Sequence, residues 1–265
     1  MSTPIRLSVA LVTRNRPESL DRCLASLRAQ DTQPFEIAVS DDGDDPAVTA
    51  KILERYDARQ LIGPRRGLYA NRNAVALACT GTHIRTMDDD HTFPAGHIRQ
   101  CLEALERDPQ VVWTCGEHSF IDGKENAFTP RAAQLHPSGV ACAVHDPDDN
   151  WAIADGATIY PREVFVHGLR FVEEFGYGSS YLEFGALLYA RGWRSRCIPD
   201  SFIEHHDDAS AQNRRSPVSC LYASLCFNLH FRPNLLRAVR HATPHAAHFC
   251  QLPRLLRLAR ERWSR

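Results

Sequence analysis

The sequence predicts an α/β fold: a mixed, mostly parallel sheet flanked by helices, with a helical C-terminal extension. Three observations carry this. Short β-branched apolar runs alternate with helix-period segments through the first half of the chain, the pattern of a parallel sheet covered on both faces. Several of those runs end in clusters of Asp, Asn or Arg, and such sheets bind ligands outside the carboxyl ends of their strands. From Ser216 onward the apolar residues recur on one helical face.

The elements read in order as follows. Leu7-Ser8-Val9-Ala10-Leu11-Val12 is a buried strand, and Thr13-Arg14-Asn15-Arg16 is the loop after it. Pro17 opens a helix, because its missing N–H would be unpaired at that position anyway, and Leu20, Cys23, Leu24 and Leu27 form its inner stripe. Phe35 to Ser40 is a second strand ending at Asp41-Asp42-Gly43. A helix from about Ala47 to Tyr56 and a short strand at Leu61-Ile62 follow. Tyr69 to Cys79 reads as a helix with Ala74, Leu77 and Ala78 inward. Thr82 to Met87 is a strand running into Asp88-Asp89-Asp90. Ala95 to Glu106 is a helix, and Val111 to Cys115 is a buried strand. Glu117 to Asn150, rich in His, Pro, Gly and Asp, reads as a long loop region expected to form part of a binding pocket or a lid. Tyr181 to Arg191 is a helix stopped by Gly192.

Composition narrows the function. The 265 residues carry a formal net charge of −1, without the basic excess of a nucleic-acid-binding protein. No apolar run approaches the roughly 20 residues that span a bilayer. The N-terminal residues lack the apolar core of a signal peptide, so a cytoplasmic location is expected. Nine scattered cysteines without Cys-x-x-Cys spacing read as reduced thiols. Three adjacent carboxylates repel one another and favour water, so Asp88-Asp89-Asp90 is not expected inside a packed element. It reads either as a solvated acidic loop or as a strand end offering carboxylates to a divalent cation that also binds substrate phosphates.

Four motifs in order carry a family resemblance. Val9-Ala10-Leu11-Val12-Thr13-Arg14-Asn15-Arg16-Pro17-Glu18-Ser19-Leu20 and its helix resemble the opening of family 2 glycosyltransferases. Glu36 to Gly43 resembles their second strand with its Asp-Asp-Gly end. Gly67-Leu68-Tyr69-Ala70-Asn71-Arg72-Asn73 resembles their Gly-x-x-x-Ala-Arg-Asn turn, and Asp88-Asp89-Asp90 their Asp-x-Asp signature. The resemblance implies a GT-A fold, a nucleotide-sugar donor (most often a UDP-sugar), Mn²⁺ or Mg²⁺, and inversion at the anomeric carbon. It implies that Thr13 and Asn15 border the base and that Asp41 accepts the uracil N–H. Arg72 would lie near the base or phosphates, Asp88 would hold the ribose or donor sugar with Asp89 in the same donor-binding set, and Asp90 would bind the metal. It divides the chain into a domain over 1–215, with about 1–110 on the nucleotide-sugar side and about 111–215 on the acceptor side, and an extension over 216–265.

Further positions follow from the same resemblance. Trp151 to Glu163 resembles the segment under the donor sugar, where Asp155-Gly156 would approach the sugar and Trp151 is either a sugar platform or a core residue. The family carries a Glu-Asp pair just before the helix over 181–191, one member acting as base on the acceptor hydroxyl. Here Ser180-Tyr181 occupies that place, so Glu183 becomes the candidate base, with Glu173 and Glu174 as alternatives. In Glu204-His205-His206-Asp207-Asp208, His205 is the expected further metal ligand, with His206 next to it. The acceptor is a sugar, a lipid-linked molecule, a peptide or another small molecule. The tail carries Arg237, Arg240, Arg254, Arg257, Arg260, Arg262 and Arg265 interleaved with Leu252, Leu255, Leu256 and Trp263. It can lie on an anionic membrane or pack on the domain or a second copy. Pro244 and Pro253 favour packing or dimerisation. Two rival functions stand beside the transferase: a silent nucleotide-sugar-binding relative, suggested by the missing Glu-Asp pair, and a sugar-nucleotide pyrophosphorylase-like enzyme. The second would need a glycine-rich, Arg/Lys-bearing loop after the first strand, and this sequence has none there.

Overall fold

A computed structural model describes residues 4–207 and 216–264; Asp208 and Arg265 lie outside the described residues. The first half runs β1 (Leu7–Thr13), α1 (Pro17–Arg28), β2 (Glu36–Asp41), α2 (Pro46–Leu53), β3 (Arg59–Ile62), α3 (Leu68–Ala78) and β4 (His83–Asp88). A short β5 (His91–Thr92), α4 (His97–Arg107), β6 (Val112–Ile121), β7 (Lys124–Thr129), β8 (Gln134–Leu135) and β9 (Ala141–Cys142) follow. Then come β10 (Thr158–Pro161), α5 (Arg162–Val166), α6 (Ser180–Ala190) and β11 (Ser195–Asp207), and finally α7 (Pro217–Cys226), α8 (Leu235–Ala242) and α9 (Leu252–Trp263).

Among the described residues the main sheet has nine strands in the order β3-β2-β1-β4-β10-β6-β11-β5, with β7 paired to β6 beside this path. Strands β1 to β4 are parallel to one another. From β10 onward parallel and antiparallel pairings mix. The strand order turns back at β1, between β2 and β4, and this is where an open α/β sheet leaves a crevice at its carboxyl ends. Both faces of β1 are covered. Val9 and Leu11 pack with Leu20, Leu24 and Leu27 of α1, whereas Ala10 and Val12 face Tyr69, Val75 and Ala76 of α3. Pro17 stands in the first turn of α1, as its fixed φ and missing N–H favour.

Two expectations change, and the choice left open at Trp151 is made. Helix α3 does not turn Ala74, Leu77 and Ala78 inward: Leu77 is half exposed, and Tyr69, Arg72, Asn73, Val75 and Ala76 are buried. The polar residues face the interior because partners meet them there. Asn73 Nδ2 donates to the Phe171 carbonyl (2.9 Å) and Oδ1 accepts from the Phe171 N–H (3.0 Å). The stretch 117–150 is not simply a loop. Strand β6 continues to Ile121 and turns back as β7, and β8 pairs with β9. Every residue of β7 is exposed, so no alternation of apolar and polar residues marks it. Trp151 is a packing residue: its indole N–H donates to the Leu135 carbonyl (3.1 Å) and its ring meets Tyr189 and Phe231 edge-on.

The C-terminal helices form their own layer, in which Leu221, Tyr222, Leu225, Leu255 and Ala259 pack against Val172 and Phe175. Helix α9 packs back on the domain, one of the arrangements expected of the basic tail. Among the described residues no helix is long and apolar enough to cross a membrane. All nine cysteines are free thiols.

Two buried histidines make stability depend on pH. Burial holds His97 well below its ordinary pKa, and burial also lowers His83. The unfolded chain takes up protons at these rings as pH falls through the ordinary histidine range, while the folded chain does not. Stability is therefore full above that range and declines below it, by up to about 1.4 kcal/mol per pH unit for each ring. Urea unfolding across pH 7.5 to about 5 should show this slope, and His97→Asn should flatten it.

Candidate active site

The carboxyl ends of β1, β2 and β4 open into a cleft of about 600 Å³, closed on its far side by residues 153–155, Tyr181 and the end of β11. The Asp triplet sits at its base. Contrary to the expectation from like charges, Asp89 and Asp90 are buried. Each has its own compensation. Asp89 Oδ2 accepts from Thr13 Oγ1 (2.6 Å), and Asp89 Oδ1 lies 3.2 Å from Arg16 Nη2. Asp90 Oδ2 accepts from Arg16 Nη2 at 2.5 Å and Nη1 at 3.0 Å. Asp88 accepts from Arg72 Nη2 at 2.5 Å.

Arg72 is fully buried and bridges Asp88 and Asp155 beside the rings of Tyr69 and Phe171. Burial opposes its charge, but Asp88 together with the nearby Tyr69 and Tyr160 overrides that and raises its pKa. Asp155 also accepts from the Tyr69 hydroxyl (3.0 Å). Gly156 permits this crowding: at φ +69° it brings its backbone so close that a Cβ would stand 2.3 Å from Asp88 Oδ2.

At the end of β2, Asp41 Oδ1 accepts from the Gly43 N–H (2.7 Å). Asp41 Oδ2 is buried and has no hydrogen-bond partner among the described residues. Asn15, at φ +54°, ties the β1 loop to the β2 loop by donating to Asp44 Oδ2 (2.8 Å) and accepting from its N–H (2.9 Å).

The pairing of β5 with β11 sets His205 opposite His91. Their Nε2 atoms each lie 3.7 Å from Asp90 Oδ1, and the rings meet edge-on at 4.9 Å. Ligand atoms of Asp90, His91 and His205 fall within 4.8 Å of one another. His206 turns the other way, toward Thr92 (2.9 Å), and stacks on Phe120. The environment separates the acids and bases. Burial pushes Asp89 up to about 7 despite Arg16. Burial acts on Asp90 too, but His205, His91 and Arg16 override it and hold it below its ordinary value. Burial lowers His91. His205 is raised because the carboxylates of Asp207, Asp90 and Glu117 outweigh its burial.

A divalent ion fits this geometry. Asp90 Oδ1, which the Nε2 atoms of both histidines approach, is buried without a hydrogen-bond partner among the described residues. One carboxylate with two imidazoles suits a first-row transition ion better than Mg²⁺, which prefers oxygen ligands.

Residues 8–169 match the sequence model described as Glycosyl transferase family 2, more than half of the chain. The chain belongs to this family. Two curated relatives align in part. The uncharacterized glycosyltransferase YwdF of Bacillus subtilis is 32% identical over 38% of this chain and 39% of its own length. The uncharacterized protein MT1568 of Mycobacterium tuberculosis is 27% identical over 60% of this chain and 54% of its own. The chain therefore spans about two fifths to half of the curated relatives it matches. Among solved structures, GalNAc-T7 with UDP, GalNAc and Mn²⁺ superposes with a TM-score of 0.68 at 16% identity, over 85% of this chain and 48% of that one. TarS 1–349 of S. aureus in complex with UDP gives 0.62 at 17% identity, over 93% and 72%. These likenesses show the GT-A fold.

Of the residues singled out from the family pattern, Thr13, Asp88, Asp89, Asp90, Asp155 and His205 come together around one cleft. Asn15, Asp41 and Arg72 do not line it: Asn15 is exposed on the loop after β1, and Asp41 and Arg72 are buried beside it. Glu183 does not join them. It is fully buried in α6, and its carboxylate accepts from Arg262 Nε at 2.9 and 3.0 Å and from the Trp263 indole N–H at 2.8 Å. As arranged it anchors α9. Glu173 pairs with Arg66 and Asn73. Sequence reasoning missed His91 and Arg16. His91 directly follows the Asp triplet, and Arg16 directly precedes the helix-opening proline, but only strand pairing and loop closure bring them to Asp90.

Two substitutions test this arrangement. Gly156→Ala should displace Asp88 and destabilise the fold by about 1–2 kcal/mol, read as a lower urea midpoint. Glu183→Ala leaves Arg262 buried without its counter-charge. It should cost about 3–5 kcal/mol of unfolding free energy, measured by urea unfolding.

Proposed function

We propose that this chain is a metal-assisted, inverting glycosyltransferase that takes a sugar from a UDP-type donor to an acceptor hydroxyl. The observation that carries this is the convergence of Asp90, His91 and His205 beside the Arg72-clamped Asp88, at the strand ends where the fold leaves its crevice. GalNAc-T7, solved with UDP, GalNAc and Mn²⁺, and TarS, solved with UDP, support the donor class by analogy.

In this reading the unpartnered Oδ2 of Asp41 accepts an N–H of the base, and Thr13 and Asn15 shape the loop beside it. Asp88, with its orientation fixed by Arg72 and by the close backbone of Gly156, binds a hydroxyl of the ribose or the donor sugar. Asp90, His91 and His205 hold the divalent ion. When bound, the ion neutralises charge on the departing diphosphate as a Lewis acid. Arg16, at the cleft mouth, is a second cation within reach of the phosphates. The acceptor oxygen attacks opposite the diphosphate, and its proton passes to Asp207, a carboxylate that lines the cleft, in place of Glu183 and Asp155, which are each tied to an arginine.

A second reading, donor binding without transfer, is favoured by one observation: the acid nearest to the family's base position is locked to Arg262 and Trp263. Calorimetry with UDP, GDP and dTDP, with and without Mn²⁺, separates these possibilities when combined with an assay for UDP release. Mn²⁺ should strengthen UDP binding by at least about tenfold, and Asp90→Asn should remove that gain. UDP binding without release from any UDP-sugar, with or without acceptor, would establish the silent reading. Absence of metal-dependent binding by all three nucleotides would sink the metal-assisted transferase, and absence of any nucleotide binding would sink both.

A further inference from the structure

Helix α8 is amphipathic with its faces reversed relative to a helix that closes a core. Its buried residues are the small Ala238 and Ala242, whereas Leu235, Leu236 and Val239 are 71%, 85% and 61% exposed. Positions 235, 236 and 239 share one face of the helix, and the exposed Arg240 follows Leu236 by one turn along its edge. The helix is held firmly. Asn234 caps it by accepting from the Arg237 N–H (2.9 Å), and Arg237 turns inward to Asn228 Oδ1 (2.5 Å) and the Arg232 carbonyl (2.5 Å). Its apolar face is thus presented by a fixed element.

The surrounding segment is cationic. From Arg232 to Ser264 the chain has seven arginines and one acid, Glu261. Arg240, Arg254, Arg257 and Arg260 are exposed and have no ion-pair partner among the described residues. Leu256, between Arg254 and Arg257 on α9, and Phe249 before it are also exposed. Helices α8 and α9 both pack on α7.

We propose that this surface docks on an anionic phospholipid membrane, with Leu235, Leu236 and Val239 entering the headgroup–acyl boundary and the arginines meeting lipid phosphates. Exposed apolar side chains bordered by unpaired arginines are the combination by which interfacial helices bind anionic lipid. A second copy suits the surface less well. A two-fold contact would set this patch against itself, arginines facing arginines, with Glu261 the one acid in the segment. The proposal is independent of what the cleft binds.

Flotation of the full chain with phosphatidylcholine vesicles, with and without about 30% phosphatidylglycerol, tests it. The chain should float with the anionic vesicles alone, and less as salt rises. Leu236→Ser with Val239→Ser should abolish flotation. Arg240→Glu, or separately Arg254→Glu with Arg257→Glu, should weaken it by about fivefold or more per arginine. All these side chains are exposed, so melting temperatures should stay at the wild-type value, and light scattering should give the same mass for each protein. No flotation of the wild type, equal flotation with neutral vesicles, or wild-type flotation by the α8 variant would overturn the proposal. So would a dimer that the α8 variant converts to monomer, which would assign the face to a second copy.

Discussion

A guanidinium removed from water must be neutralised where it stands, and Arg72 imposes that requirement on the centre of this protein. It lies fully buried on α3, with one carboxylate from the end of β4 and another from the segment before β10. Either acid alone would leave part of the guanidinium's hydrogen-bonding capacity unmet in a low-dielectric interior. The pair therefore ties three separate parts of the chain to one geometry. Asp88 is aimed, Asp155 is brought into the cleft wall, and the segment between Asp155 and β10 must come so close that only glycine fits at position 156.

The same logic distributes character along the Asp triplet. Three adjacent carboxylates meet three different surroundings: Arg72 for Asp88, Thr13 and Arg16 for Asp89, and Arg16 with two imidazoles for Asp90. Burial brings Asp89 to about 7, while its neighbour is held below the ordinary carboxylate range. One strand end thus carries an acid clamped by a buried arginine, an acid held by Thr13 and Arg16, and an acid facing two imidazoles. Identical residue types acquire distinct chemistry because the partners come from different elements.

The C-terminal helices enter this scheme through Glu183. Its charge is spent on Arg262 and Trp263, so α9 is fastened to α6, whose first turn carries Tyr181 at the edge of the cleft. The extension is therefore structurally joined to the wall of the candidate site, while the outward face of α8 stays uncovered.

Most strands and helices were legible in the sequence because apolar periodicity reports burial directly: the stripe Leu20, Cys23, Leu24 and Leu27 is inside, as its spacing requires. Polar clusters at strand ends were legible too, since charge on a sheet's carboxyl edge has few structural uses. What periodicity does not report is a buried polar side chain satisfied at long range. That is why α3 faces inward with Arg72 and Asn73 rather than Leu77, and why Glu183 resembled a free acid near the base position. By itself the sequence determined the α/β alternation, the family and the acids at the strand ends, because these rest on local pattern and order along the chain. Only the tertiary structure decided that His91 and Arg16 join Asp90, that His205 rather than His206 faces it, and that Glu183 anchors α9. Those outcomes depend on strand register and on the pairing of charges about 75 to 115 residues apart, which must be met together once water is excluded.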